Sequence, residues 1–197
     1  MIRLSTPISE AEARRLKVGD EVLLSGRIVL SRDLGHKYMK EQKPEWLRPL
    51  LDEAVIYHCG PVIVKHNGSW KVTAAGPTTS SREEPYEAAL IERFKLKAII
   101  GKGGMGQATA DACKQFGCVY LHAVGGAAQV LAQCVKAVEN VFYYDEFGAP
   151  EAIWQFQVVD FPAVVTMDAH GNSLHRDVLT ASTEIFKQLM NLKEDER

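Results

Sequence analysis

No run of apolar residues in this chain approaches the ~20 needed to cross a bilayer, and Met1-Ile2-Arg3-Leu4-Ser5-Thr6-Pro7 carries no apolar core of a secretory signal. A cytoplasmic location is the expectation. Charge of one sign is equally scarce: 23 basic residues against 25 acidic leave a formal net charge of −2. That balance excludes a global field for nucleic acid or anionic lipid, so any attraction for anions has to be local. Cysteine is sparse too, four in 197 residues with no Cys-x-x-Cys pair. Cys59, Cys113, Cys118 and Cys134 sit among apolar or helical neighbours and read as free core thiols. Cys113 falls on an expected helix and Cys118 at the following strand, an awkward spacing for one shared iron–sulfur cluster. Internal repeats, low-complexity tracts and linkers are missing as well, and 46% hydrophobic with 24% charged residues is ordinary globular usage. One domain over residues 1–197 is expected.

What is present alternates between strand and helix. Glu21 to Leu30 reads as one or two strands with an interior glycine that suggests a bulge, followed by a short helix from Asp33 to Gln42 limited by Pro44. Ala54 to His58, Pro61 to Lys65 and Trp70 to Ala75 read as strands, the last two joined by a turn containing Asn67-Gly68. Pro85 is placed to open a helix running to about Phe94, with a capping register from Ser80 or Ser81 as the alternative. Lys97 to Ile100 is an expected strand, Ala108 to Phe116 a helix and Cys118 to Val124 a strand. Gly125-Gly126 then opens a helix to about Val138, and Val141 to Tyr144 is a strand. Ile153 to Val159 and Ala163 to Met167 read as two further strands, and a charged helix closes the chain. Such repetition favours an α/β fold with parallel strands and ligand loops at their carboxyl ends.

Three basic residues sit in Gly- or hydroxyl-rich turns: Arg32 in Ser31-Arg32-Asp33, Arg82 in Gly76-Pro77-Thr78-Thr79-Ser80-Ser81-Arg82, and Lys102 in Gly101-Lys102-Gly103-Gly104-Met105-Gly106. Cations supply charge, hydroxyls and free backbone N–H groups supply hydrogen bonds, and glycine lets the main chain come close. A small dianion needs that combination. Each turn also has an ordinary reading: a helix cap with spare hydroxyls, Arg82 paired with Glu83 or Glu84, Arg32 paired with Asp33, and a solvated lysine in a tight turn. The same chemistry in several independent turns favours the binding site.

Gly101-x-Gly103-x-x-Gly106 formally matches the dinucleotide-binding fingerprint. That fold wants an acidic residue ~20 positions on, and none occurs between Asp111 and Glu139. A phosphate-binding P-loop fails because Gly103 follows the lysine and Leu96 stands where the first glycine belongs.

Gly76-Pro77-Thr78-Thr79-x-x-Arg82-x-x-x-Tyr86 followed by Ile100-Gly101-Lys102-Gly103-Gly104-Met105 strongly resembles the C-terminal, or β-subunit, domain of class I iron–sulfur fumarases and L-tartrate dehydratases. Ser31-Arg32-Asp33, His122-Ala123-Val124-Gly125-Gly126-Ala127-Ala128 and Phe147-Gly148-x-Pro150-Glu151-Ala152-x-Trp154 fall where similar segments belong, so the resemblance covers nearly the whole chain. Glu83, directly after Arg82, departs from the methionine usual in that family.

The resemblance implies a swivelling β/β/α domain, layered sheets with helices, and a two-component hydro-lyase. A [4Fe-4S] cluster would be carried by a partner α-subunit and not ligated by this chain. Arg32, Thr78, Thr79, Arg82 and Lys102 would contact the dicarboxylate substrate. Thr78 would also serve in proton removal, with an α-subunit aspartate, because a hydroxyl is a poor base until a partner group activates it. His36 and His122 are general bases by residue type, although core or surface roles are the commoner fate of such histidines. Fumarate hydration is the first reading of the reaction, with tartrate dehydration to oxaloacetate as its rival. A non-catalytic dicarboxylate-binding module is the reading from a different class. The resemblance also implies an exposed apolar surface for the partner, through which an isolated chain would self-associate.

Overall fold

Val55-Ile56-Tyr57 and Ala98-Ile99-Ile100 carry apolar side chains at successive positions, as strands covered on both faces require. In the computed structural model, which describes residues 1–190, these segments form β3 (Val55–His58) and β6 (Ala98–Gly101), and every residue of both is buried. They lie within a mixed sheet with β1 (Ile2–Ser5), β2 (Glu21–Ser31), β7 (Val119–His122), β8 (Val135–Phe142) and β9 (Ile153–Met167). Neighbours β1, β2, β3, β6 and β7 run parallel, in that order. Strand β9 runs antiparallel to β7 and returns to pair with β2, so the sheet closes on itself like a barrel. A separate hairpin of β4 (Val62–His66) and β5 (Ser69–Ala74) turns at Asn67-Gly68, both with positive φ as a two-residue hairpin turn demands.

Alternation divides the core into two layers. Ile28, Leu30, Val55, Tyr57, Ala98, Ile100, Val119, Leu121, Trp154 and Phe156 point into one apolar cluster. Val29, Ile56, Ile99, Tyr120 and Ile153, at alternate positions beside them, point into a second. The second cluster lies beneath the helices α2 (Asp33–Gln42), α3 (Arg48–Leu51), α4 (Glu84–Phe94) and α5 (Gln107–Phe116), through residues such as Met39, Leu51, Leu90 and Cys113. α1 (Glu10–Arg15), α6 (Ala128–Gln133), α7 (Tyr144–Phe147) and α8 (Leu174–Leu189) complete the helices. The α/β class and the layered arrangement are as expected. No helix among the described residues is long and apolar enough to cross a membrane.

Three expectations are corrected. The helix expected to reach Val138 ends at Gln133, and Val135–Phe142 is instead strand β8. Val135, Val138 and Val141 all pack against the first core cluster. Their spacing of three arises because register shifts between Val135/Ala137 and Val138/Asn140 each break the two-residue alternation, so a bulged strand imitates helical periodicity. The strand expected over Val141 to Tyr144 stops at Phe142, where left-handed Tyr143 turns the chain into α7. The two strands expected around Asp160 are one continuous β9, with Asp160 itself at φ 51°. Gly26, by contrast, marks the expected bulge, at a register shift between Leu24 and Gly26. Its φ of 116° favours glycine.

Candidate functional site

Arg32, His58, Lys102 and His122 lie at or just beyond the carboxyl ends of β2, β3, β6 and β7, four neighbouring parallel strands. That end of a parallel sheet gathers loops from different strands into one place. The threonine loop crosses it. The Thr78 amide donates to the His58 carbonyl at 2.7 Å, which docks the loop on β3. The Lys102 amide donates to the Thr78 carbonyl at 3.3 Å, and the Ser80 amide donates to the Lys102 carbonyl at 3.0 Å. Thr79 and Lys102 are thus paired as a short parallel bridge, and two turns far apart in sequence become one surface. The glycine loop turns at Gly103 and Gly104, with φ of 89° and 119°, which side chains rarely tolerate.

The two arginines converge on Asp33, the first residue of α2. Arg82 donates to it bidentately, at 3.1 and 2.6 Å, and Arg32 approaches the same carboxylate at 3.9 Å. Arg32 also faces Glu151 at 3.4 Å and stretches over Gly60, where a Cβ would come within 2.8 Å of its Cδ. Its Nε is buried without a hydrogen-bond partner among the described residues. Arg82 therefore does not pair with Glu83 or Glu84. Glu83 is buried, and Glu84 reaches across to the start of α5, accepting from the Gly106 amide at 2.7 Å and the Thr109 hydroxyl at 2.8 Å. Among the described residues Lys102, unlike Arg32 and Arg82, makes no ion pair, and its Cδ passes close to Gly125.

Directly beneath these loops lies a buried polar layer that no sequence pattern announces. His36, His58, Ser80, Glu83 and Glu87 are all fully buried. The Glu87 carboxylate takes the Nε2 of His58 at 3.0 Å and stands 3.2 Å from the Nε2 of His36. His58 Nδ1 meets the Ser80 hydroxyl at 2.8 Å, and Ser80 accepts from Tyr120 at 2.8 Å. His36 Nδ1 donates to the Arg32 carbonyl at 2.9 Å. Burial opposes ionisation of Glu87, but the two histidines outweigh it and pull its pKa down to about 2. Burial also opposes a charged His36, yet Glu87 raises it, whereas at His58 burial prevails and lowers it. Glu83, buried without a partner, is pushed up to about 7 by its burial.

The five expected contact residues are thus brought to one end of the barrel, Thr79 and Arg82 exposed and Thr78, Arg32 and Lys102 partly so. His36 is a core histidine. His122 is partly exposed, and its ring lies 5.7 Å from that of His175, which packs on Gly104. Burial lowers the pKa of both rings. His175, His58, Glu87 and Ser80 are the residues that sequence reading missed at this end.

Residues 1–178 match the family described as Fumarase C-terminus. A protein of Geobacillus stearothermophilus, provisionally named fumarate hydratase class I, is 52% identical over 190 residues, which are 95% of this chain and 36% of that protein. The chain therefore spans about a third of that relative's length. A provisionally named L(+)-tartrate dehydratase subunit beta of Methanocaldococcus jannaschii is 41% identical over 94% of this chain and 96% of its own. The L(+)-tartrate dehydratase subunit beta of Escherichia coli K12 is 37% identical over 87% of this chain and 85% of its own.

Proposed function

The chain belongs to the Fumarase C-terminus family, and on that premise we propose that it is the β component of a two-component hydro-lyase. Fumarate hydration is the proposed reaction, and L-tartrate dehydration the second reading, favoured by the two β-subunit relatives that match it nearly end to end. The identity to the fumarate hydratase relative, 52%, supports the order of the two. The single observation that carries the proposal is the joining of Arg32, Thr78, Thr79, Arg82 and Lys102 at the ends of parallel strands, two loops being locked together by the Thr79–Lys102 bridge.

A small dicarboxylate needs two cationic partners and several donors. Arg32 and Arg82, held by Asp33, would receive one carboxylate, and Lys102 with the Thr78 and Thr79 hydroxyls the other end. When the β-proton leaves, negative charge grows on the carboxylate next to the carbanion. Cations already fixed there stabilise that state more than the bound substrate. Thr78 is the proposed proton-transfer residue, with activation supplied from outside this chain.

Class I relatives imply an iron–sulfur cluster, and this chain's cysteines do not fit one. Cys59, Cys113 and Cys118 are buried, Cys134 is half-buried, and the metal-type side-chain group that comes together among the described residues contains no cysteine. We assign the cluster to a partner α component, whose iron would act as a Lewis acid on the substrate hydroxyl.

Anaerobic assays of the chain with and without its cluster-bearing partner, on L-malate and separately on L-tartrate, test the proposal. Activity is expected only with both components, faster on malate, and lost in Lys102→Ala. An intact complex inactive on both substrates would sink the hydro-lyase assignment and leave a dicarboxylate-binding module.

A further inference from the structure

The buried layer under the loops has an imbalance of donors. The Arg32 carbonyl can only accept, so the proton of His36 is on Nδ1, and the Nε2 of a neutral His36 presents a lone pair toward Glu87. That Nε2 is buried and has no hydrogen-bond partner; nor do Oε1 of Glu87 or either oxygen of Glu83, among the described residues. Ser80 accepts from Tyr120, which leaves its own proton for His58 Nδ1 and puts the other His58 proton on Nε2, facing Glu87. Protonating His36 would give Glu87 a second N–H donor beside His58. It would still leave Oε1 of Glu87 and the whole Glu83 carboxylate without donors. Four buried lone-pair atoms in one place, with an imbalance of acid over base, are what a cation satisfies.

From this geometry we infer that His36, His58 and Glu87 form a buried binding site for a first-row divalent cation of the zinc type. One ligand atom each from His36, His58 and Glu87 lie within 4.8 Å of one another, and the Nε2 atoms of both histidines face Oε2 of Glu87. The nitrogen-to-oxygen separations of 3.2 and 3.0 Å are close to the roughly 3.3 Å edge of a tetrahedron with ~2.0–2.1 Å metal bonds. The outer nitrogen of His36 already donates to a backbone carbonyl, and that of His58 faces the Ser80 hydroxyl, which would accept from Nδ1 once the ion displaces the proton on Nε2, the support that orients metal-ligating imidazoles. Two neutral imidazoles and the Glu87 carboxylate would leave one positive charge, which the adjacent Glu83 carboxylate balances. Imidazole and carboxylate donors suit zinc and its neighbours better than copper(I) or iron–sulfur chemistry. The ion would tie α2, β3 and α4 together under the substrate loops, independently of which reaction those loops serve.

Because the site is closed, the metal has to enter during folding. Untagged chain of residues 1–197 is unfolded in guanidinium with a chelator, freed of both, and refolded with Co²⁺ or Zn²⁺. About one tightly held ion per chain is expected, with visible d–d bands of tetrahedral Co²⁺ and no thiolate charge-transfer band, since no cysteine takes part. Glu87→Gln should abolish retention, and Ser80→Ala, which removes only the partner of His58, should weaken it roughly 10–100-fold. The wild-type spectrum decides even if a variant fails to fold. Refolded wild type that holds no more metal than its buffer, or whose cobalt shows thiolate bands, overturns the inference. Retention unchanged in a folded Glu87→Gln chain does the same.

Discussion

Asp33 pairs with both proposed site arginines, Arg32 largely covered and Arg82 with 53% of its side chain exposed. The exposed Arg82–Asp33 pair contributes little to stability, so its geometry serves positioning. Lysine keeps the charge but loses the planar two-pronged fit to a carboxylate. Arg82→Lys should therefore raise KM for the dicarboxylate roughly 10-fold or more, on the scale of a ~1.5–3 kcal/mol charged hydrogen bond, with the melting temperature unchanged. Steady-state kinetics on the reconstituted enzyme, beside a thermal melt, separate those effects; an unaltered KM would remove Arg82 from the substrate contacts. The grouping of the five proposed contact residues at one end of the sheet was legible because cations, hydroxyls and glycines in turns are local signals. His58, Glu87 and Ser80 were not, since a buried histidine in an apolar strand and a glutamate on a helix have no local mark of their partnership. Their juxtaposition depends on β3, α4 and the threonine loop meeting in space.

At the scale of elements, the loops keep their register only while nothing intrudes between them. Gly101 faces Ser80, and a Cβ there would collide with its hydroxyl and come within 2.9 Å of the Tyr120 oxygen. Gly101→Ala should push the Ser80 loop away from Lys102, with a stability loss of about 1–3 kcal/mol in chemical denaturation and loss of activity. Wild-type stability in that variant would mean the bridge is not fixed. The turn between β9 and α8 carries a different device. Asp168 accepts from the His170 and Asn172 amides at 2.9 and 3.1 Å and from the Asn172 side chain at 2.9 Å. Burial pushes this carboxyl up, but the bonds, the Asn172 side chain foremost, outweigh it and hold it below its ordinary value. Its folded pKa being depressed, its contribution is complete above the unfolded pKa of ~3.9 and is lost as pH falls through the lower folded value. Asp168→Asn should cost about 2 kcal/mol near neutral pH, and the gap from wild type should shrink on acidification toward pH ~3. Urea midpoints at the two pH values check this, and a gap that is constant or widens in acid would contradict it. Most strands could be read from apolar runs, whereas β8 was hidden by its bulges and β1 by its shortness and its exposed polar residues.

For the whole molecule, the face that remains to be covered is on α8. Val178, Leu179, Ile185, Phe186 and Leu189 are 58%, 66%, 57%, 54% and 77% exposed. Their spacing of seven and of three or four along the chain puts them on one stripe, and no residue of this helix is buried. The family match ends at residue 178, within α8, whereas the Geobacillus stearothermophilus relative aligns over 95% of this chain and so has a counterpart to most of this helix. An apolar stripe of that kind is costly to leave in water, and its spacing is that of a helix seam. In the absence of a partner component the stripe is expected to pair with a second copy of itself. Sedimentation across a concentration series should show a dimer that dissociates on dilution, and Leu179→Lys with Phe186→Lys should give a monomer at all concentrations. Because neither side chain is buried within the chain, the double variant should melt no earlier than the dissociated wild type. A wild type that is monomeric throughout, or a double variant that still dimerises, would place self-association elsewhere on the molecule or nowhere. Adding the proposed α component then distinguishes two uses of the stripe: if it displaces the dimer, α8 belongs to the heteromeric interface, and if a larger complex forms, α8 joins two heteromers.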